Sequence, residues 1–203
     1  MANLVPKVPA EQWVAAARRT LIDEGIDAVK VDRLAKRLGV SRGGFYHHFA
    51  DRSELLERLL ENWALTVEFV PAQLAPETAA QALAAIDAIV AQLVAEERYD
   101  PSFDMAMRAW AHADPAIDQA VQQSDRARLA SIQRIFLALG CDTEESLVRA
   151  RVFYFHQIGY YVTGLKETRS QRASHIQTYL RILCGEHHLE RARHDHGKAP
   201  AGG

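Results

Sequence analysis

V-D-R-L-A-K-R-L-G-V-S-R-G-G-F-Y-H-H-F-A-D-R-S-E-L-L-E-R-L-L-E-N-W, residues 31–63, decides how the rest of the chain is read. Residues 32–38 have helical spacing, with Leu34, Ala35 and Leu38 on one side, and Gly39 ends the run in the C-cap manner. Ser41 is placed to N-cap a short third helix over residues 42–48. Asp51, with Glu54 three residues on, opens a longer fourth helix whose apolar side (Leu56, Leu59, Leu60, Trp63, Val67) carries it to Pro71. Two short helices about a tight glycine turn, braced by a longer one, form the layout of a helix-turn-helix. Such a unit offers one short helix to the major groove of DNA.

The short third helix needs support from its neighbours. Leu34, Ala35, Leu38, Val40, Phe45 and Phe49 supply a small core, with Leu55 and Leu56 beneath. Arg42, Gly43, Gly44, Tyr46 and His47 are left to face outward, with His48 at the margin. Arg42, in the first turn, has the fork geometry for a guanine edge. Gly43 and Gly44 each cost the helix about 1 kcal/mol relative to Ala, a cost that close approach of backbone to bases explains. Tyr46 and His47 can donate to phosphates. Lys30 at the start of the second helix and Arg52 at the start of the fourth bracket the groove, and Ser41 and the helix N-termini add donors. The competing reading is a solvated basic surface on a small bundle; the turn, the capped entries and the basic rim together favour DNA.

Charge agrees once it is divided. Residues 1–52 carry nine Lys and Arg against six Asp and Glu, whereas the remainder carries fifteen against twenty. A basic head on an acidic body suits phosphate contact at one end. In 203 residues, 48% of them hydrophobic, no apolar run approaches the roughly 18–20 residues that span a bilayer. The N-terminus lacks a signal-like segment, so a cytoplasmic protein is expected. Cys141 and Cys184 fit no metal or redox spacing and read as free thiols.

Beyond residue 71 helical spacing recurs, over about 78–97, 102–113, 114–139, 142–163 and 170–183. With the first helix, about 9–24, nine helices are expected, and the fold class is all-α. A head over 9–70, a body over 71–185 and a mobile tail over 186–203 are the expected parts. The tail histidines (His187, His188, His194, His196), near Cys184, admit a metal reading. Their loose spacing favours a solvated tail, so no metal and no cofactor are expected.

The segment 9–70 resembles the DNA-binding domain of the TetR/AcrR family of transcriptional repressors. L-A-K-R-L-G-V-S-R-G-G-F-Y-H-H-F-A-D-R-S-E-L-L carries the resemblance, above all Tyr46, His48 and Phe49 followed by Arg52. It implies an all-helical homodimer that binds a palindromic double-stranded operator and is released by a small-molecule effector. The family commonly has Thr where this chain has Lys30, and Thr, Ser or Ala where it has Gly44.

The helix over 142–163 has two apolar stripes: Val152, Phe155, Gly159 and Val162 on one, Leu147, Ala150, Tyr154, Ile158 and Tyr161 on the other. Both must be covered, which a monomer of this size does not provide, so a partner helix is expected. The interface is expected at Tyr154, Ile158 and Tyr161, with Ile176, Leu180 and Leu183 of the last helix. Phe103, Met107, Trp110, Phe153, His156 and Tyr160 suit a mostly apolar ligand with one polar group; they equally suit ordinary core. Arg108, Asp125 and Arg128 read as a structural ion-pair network. Two rivals stay open: a constitutive DNA-binding regulator without ligand, and a small-molecule enzyme using His156. For the enzyme, no nucleophile, base and orienting residue stand at motif spacing.

Overall fold

The computed structural model describes residues 8–67, 69–71, 73–97 and 99–196. Among them are nine α-helices, two 3-10 helices and no strand. The α-helices are α1 (Ala10–Glu24), α2 (Val31–Leu38), α3 (Arg52–Thr66), α4 (Ala79–Ala95), α5 (Pro101–Ala111), α6 (Pro115–Leu139), α7 (Thr143–Thr163), α8 (Arg169–Cys184) and α9 (Glu186–His196). No helix is long and apolar enough to cross a membrane. The starts follow cap chemistry: Asp51, Asp100 and Asp142 each accept the N–H three residues on, and Thr78 and Thr168 form capping boxes with Gln81 and Gln171.

The chain divides into two compact units. The first holds residues 8–67 with Asp100–Gln122; the second holds 69–99 and 123–196 as described. The expected head at 9–70 therefore gains α5. The cause is visible in its packing: Phe103 and Met107 are fully buried, and the Asp104 carboxylate accepts from the Trp63 indole N–H at 2.9 Å and from Arg108 at 3.3 Å. Arg18 adds an ion pair to Asp100 at 2.5 Å and lies over the Phe103 ring. Under α2, the faces Trp13–Ala17–Leu21 and Leu34–Ala35 close on Phe45, Phe49, Leu55 and Leu59.

Three expectations need correction. The third helix is a 3-10 helix, Arg42–His47, held by Gly44 N–H to Ser41 C=O and His48 N–H to Phe45 C=O. Two glycines in six residues leave too little propensity for an α-helix. The Ser41 side chain makes no cap bond. The fourth helix ends at Thr66 rather than Pro71, because Pro71 lacks the N–H that would bond the Val67 carbonyl and disfavours helical backbone just before it. Lastly, residues 186–196 are not a mobile tail. They form α9, which packs on α4 with Leu189 and Ala192 buried. Residues 197–203 lie outside the described residues.

In the second unit α4, α6, α7, α8 and α9 surround Ile86, Ile89, Leu93, Ile132, Ile135, Phe136 and Leu139. Tyr154 is buried; its hydroxyl donates to Asp125 at 2.6 Å and accepts from Arg128 at 3.2 Å, which realises the Asp125–Arg128 part of the expected network. Cys141 and Cys184 are buried free thiols.

Asp104 has no exposure and takes hydrogen bonds from two partners, so replacing it should be costly. Asp104→Ala is expected to destabilise the protein by about 3 kcal/mol, since it removes a fully buried acceptor bonded to the Trp63 indole and the Arg108 guanidinium. Chemical denaturation measures this; a change below about 1 kcal/mol would show that the network contributes little.

Candidate nucleic-acid interface

The 3-10 helix is held from beneath by Phe45. This side chain is fully buried, 5.3 Å edge-on from the Trp13 ring and stacked at 5.1 Å on Phe49. His48 Nε2 lies 2.8 Å from the Val8 carbonyl, so the ring ties the segment to the start of α1. Arg42, Gly43, Tyr46 and His47 are exposed, and Gly44 is half-buried.

The glycines are not demanded by the protein itself. Neither has positive φ. A Cβ built on Gly43 would meet only Ser41 Oγ at 3.7 Å, and one on Gly44 only Trp13 Cζ2 at 3.8 Å, both ordinary contact distances.

Arg42 Nη2 donates to the Tyr46 hydroxyl at 3.1 Å, and Nε lies 3.5 Å from Asp32. The Tyr46 bond, and after it Asp32, raises the Arg42 pKa, so this guanidinium is always charged. The Asp32 pair is solvent-exposed on both sides and worth little, leaving Arg42 able to change partners.

Most other cations of the head are occupied. Arg19 pairs with Asp23, Arg33 and Arg37 with Glu24, and Arg37 also donates to Thr20. Arg52 departs from its expected place as a groove bracket. Its Nε donates to the Val29 carbonyl at 2.6 Å and Nη2 to that of Ile26 at 3.1 Å, clamping the turn that leads into α2. Lys30, at the N-cap position of α2, is exposed and makes no cap bond, so its ammonium extends into solvent.

The second unit contains a cavity of about 380 Å³ between α4, α7 and α8. Phe153, His156 and Tyr160 line it as expected; Phe103, Met107 and Trp110 do not, being core of the first unit. Gln157 also lines it. This side chain is 8% exposed, and its Nε2 has no hydrogen-bond partner among the described residues.

The surface expected to bind a partner helix is also corrected. Tyr154 is buried, and the Tyr161 hydroxyl turns inward to the Leu93 carbonyl and Glu96, with burial pushing its pKa up to about 12. Ile158 is half-buried, and Ile176, Leu180 and Leu183 line the cavity. The stripe left in solvent is the other one: Val148, Val152, Phe155 and Val162 on α7, with Tyr179 and Ile182 on α8. Periodicity separates the two faces of α7, but only the partners of Tyr154 on α6 and of Tyr161 on α4 show which one is covered.

Residues 14–59 match the bacterial regulatory proteins of the tetR family. The chain is 28% identical over 158 residues to the HTH-type transcriptional regulator BetI of Cronobacter sakazakii, covering 76% of this chain and 75% of that protein. Its fold is similar to that of Salmonella enterica GusR (TM-score 0.57, 17% identity, 91% of this chain and 98% of that one). It is similar also to a transcriptional regulator from Rhodococcus sp. Rha1 (TM-score 0.56, 18% identity, 92% and 97%). The segment 14–59, which carries the helix-turn-helix described above, is therefore similar to the DNA-binding segment of the tetR-family regulators.

Proposed function

We propose that the chain is a ligand-responsive repressor, not an enzyme, acting in the cytoplasm as a homodimer on a palindromic operator. The observation that carries the reading is the exposed edge Arg42–His47 on a fully buried Phe45 anchor. Arg42 reads a guanine through its fork, Gly43 and Gly44 let the backbone approach, and Ser41, Tyr46 and His47 contact phosphate with Lys30. Arg52 acts through the turn it clamps.

The dimer uses the exposed stripe of α7 and α8. Six large apolar side chains in water on adjoining helices support a second copy there. Twofold symmetry would set the two reading edges about 34–36 Å apart, one turn of DNA. Four of the six, Val148, Val152, Tyr179 and Ile182, also line the cavity, so a partner seated on them closes its mouth. Ligand and dimer geometry are thereby linked.

The cavity favours the ligand-responsive reading over a constitutive regulator. Its wall is mostly apolar (Val90, Leu93, Phe153, Ile176), and the unpartnered Gln157 amide supplies a donor. A largely apolar effector carrying a carbonyl or carboxylate oxygen fits both features. Coupling of about 1–3 kcal/mol between ligand and DNA suffices for release.

Arg42→Ala is expected to weaken operator binding by about 1–3 kcal/mol and relax base preference. Lys30→Ala should weaken all DNA alike and make the salt slope shallower by about 1. Fluorescence titration against operator and scrambled duplexes at several salt concentrations separates the two; unchanged binding for both variants would remove the interface assignment.

Phe155→Asp combined with Ile182→Asp should give a folded monomer in analytical ultracentrifugation, because two carboxylates cannot be buried across a symmetric contact. A double variant that stays dimeric would place the interface elsewhere.

Gln157→Met should raise the stability of the ligand-free protein by about 1 kcal/mol, since it removes a buried donor without a partner. Thermal melts decide this, and a lower melting temperature would mean the amide is satisfied by water in the cavity.

A further inference from the structure

Two side chains at the α6–α7 turn and one from α9 meet at a point that neither the proposed DNA edge nor the cavity uses. Cys141 lies in the turn between α6 and α7, Glu145 in the first turn of α7, and His188 in the first turn of α9. Their sulfur, carboxylate oxygen and ring nitrogen all lie within 4.8 Å of one another. Cys141 Sγ is 3.7 Å from His188 Nε2, and His188 Nε2 is 3.9 Å from Glu145 Oε2.

The surroundings orient these atoms. His188 Nδ1 is 3.0 Å from the Leu139 carbonyl, which can only accept, so Nδ1 carries the proton and Nε2 presents its lone pair to the other two groups. Arg149 takes Glu145 Oε1 at 2.6 Å and leaves Oε2 directed at His188. Gly140, with φ +99°, supplies the left-handed backbone that turns the chain from α6 to Cys141.

The geometry points to a divalent-cation site of the zinc class formed by Cys141, Glu145 and His188, with solvent in the fourth position. Thiolate, imidazole and carboxylate are borderline-soft donors that suit zinc. Bonds of about 2.3 Å to sulfur and about 2.0 Å to nitrogen place tetrahedral S and N ligands roughly 3.5 Å apart, close to the 3.7 Å between Cys141 Sγ and His188 Nε2, and the Glu145 carboxylate closes in by up to about 1 Å through side-chain rotation. Charge balances: the cysteine gives its proton to solvent on binding, and thiolate plus carboxylate neutralise the dication. Arg149 is then left with a carboxylate oxygen that still accepts from it. The ion pins α9 to the α6–α7 turn, which makes the C-terminal helix a metal-responsive part of the regulator. The site does not depend on the proposed repressor mechanism.

The test is a cobalt(II) titration of the reduced full-length protein, followed in the near ultraviolet for the thiolate-to-cobalt band and then displaced with zinc. One cobalt per chain with that band, released by one zinc, is expected. Cys141→Ser should abolish the band. His188→Gln and Glu145→Gln should weaken cobalt binding by at least about 100-fold. Cys184→Ser and a His187→Gln/His194→Gln variant should bind as the parent does, which separates this set from the neighbouring thiol and the other histidines. Absence of the band in the parent protein, or its survival in Cys141→Ser, overturns the assignment without any variant having to resemble the parent in stability. Helical content by circular dichroism checks each variant.

Discussion

Phe45 is the constraint on which the proposed DNA-reading edge depends. Six residues, two of them glycine, cannot hold a helix by themselves. Gly43 and Gly44 cost roughly 2 kcal/mol together relative to alanine. Full burial of one phenylalanine returns about 1.5–3 kcal/mol, and its contacts with Trp13 and Phe49 add roughly 0.5–1.5 kcal/mol each. The anchor outweighs the glycines by roughly 0.5–4 kcal/mol. That balance explains why the segment is a 3-10 helix and why α1 must pass directly beneath it. It also explains the open outer surface, since the apolar contacts that hold the segment lie on its inner side.

The same economy governs charge. A surplus of basic residues in the head suggests a broad positive face, yet most of those residues are used to join elements. Arg18 reaches Asp100, Arg33 and Arg37 bind the end of α1, and Arg52 clamps the turn before α2. What remains for an anion is concentrated near Lys30 and Arg42. Surface pairs such as Arg42–Asp32 are weak enough to exchange for phosphate or a base edge, whereas Arg52, with two carbonyl acceptors, has less reason to leave. The proposed reading head thus takes its affinity from a few exposed cations and its discrimination from one of them.

Much of this was legible in the residues themselves. The caps at Asp51, Thr78 and Asp142, the stop at Gly39 and the buried faces of α1 and α2 are local features, and local chemistry predicts them. What failed was non-local. The two stripes of α7 are distinguishable by spacing, but which is covered depends on α6 and α4, which hold the partners of Tyr154 and Tyr161. Phe103 and Met107 have the same composition whether they line a cavity or complete the core beside Trp63. Arg52 stands at a helix start as a phosphate-binding residue would, and the carbonyls that capture it lie more than twenty residues upstream.

The C-terminal helix shows the sharpest form of this limit. Glu186 to His196 is polar in composition, and only Leu189 and Ala192 mark an inner stripe. Two apolar side chains three residues apart are too few to predict a docked helix, yet they are enough when α4 offers a complementary face. Docking then fixes His188, which in an unfolded tail would be one of several scattered histidines, against a buried thiol and a carboxylate. A side chain acquires a chemical role here through the position of the helix that carries it. Residue type alone could not assign that role, because His187 next to it is the same residue on the exposed side.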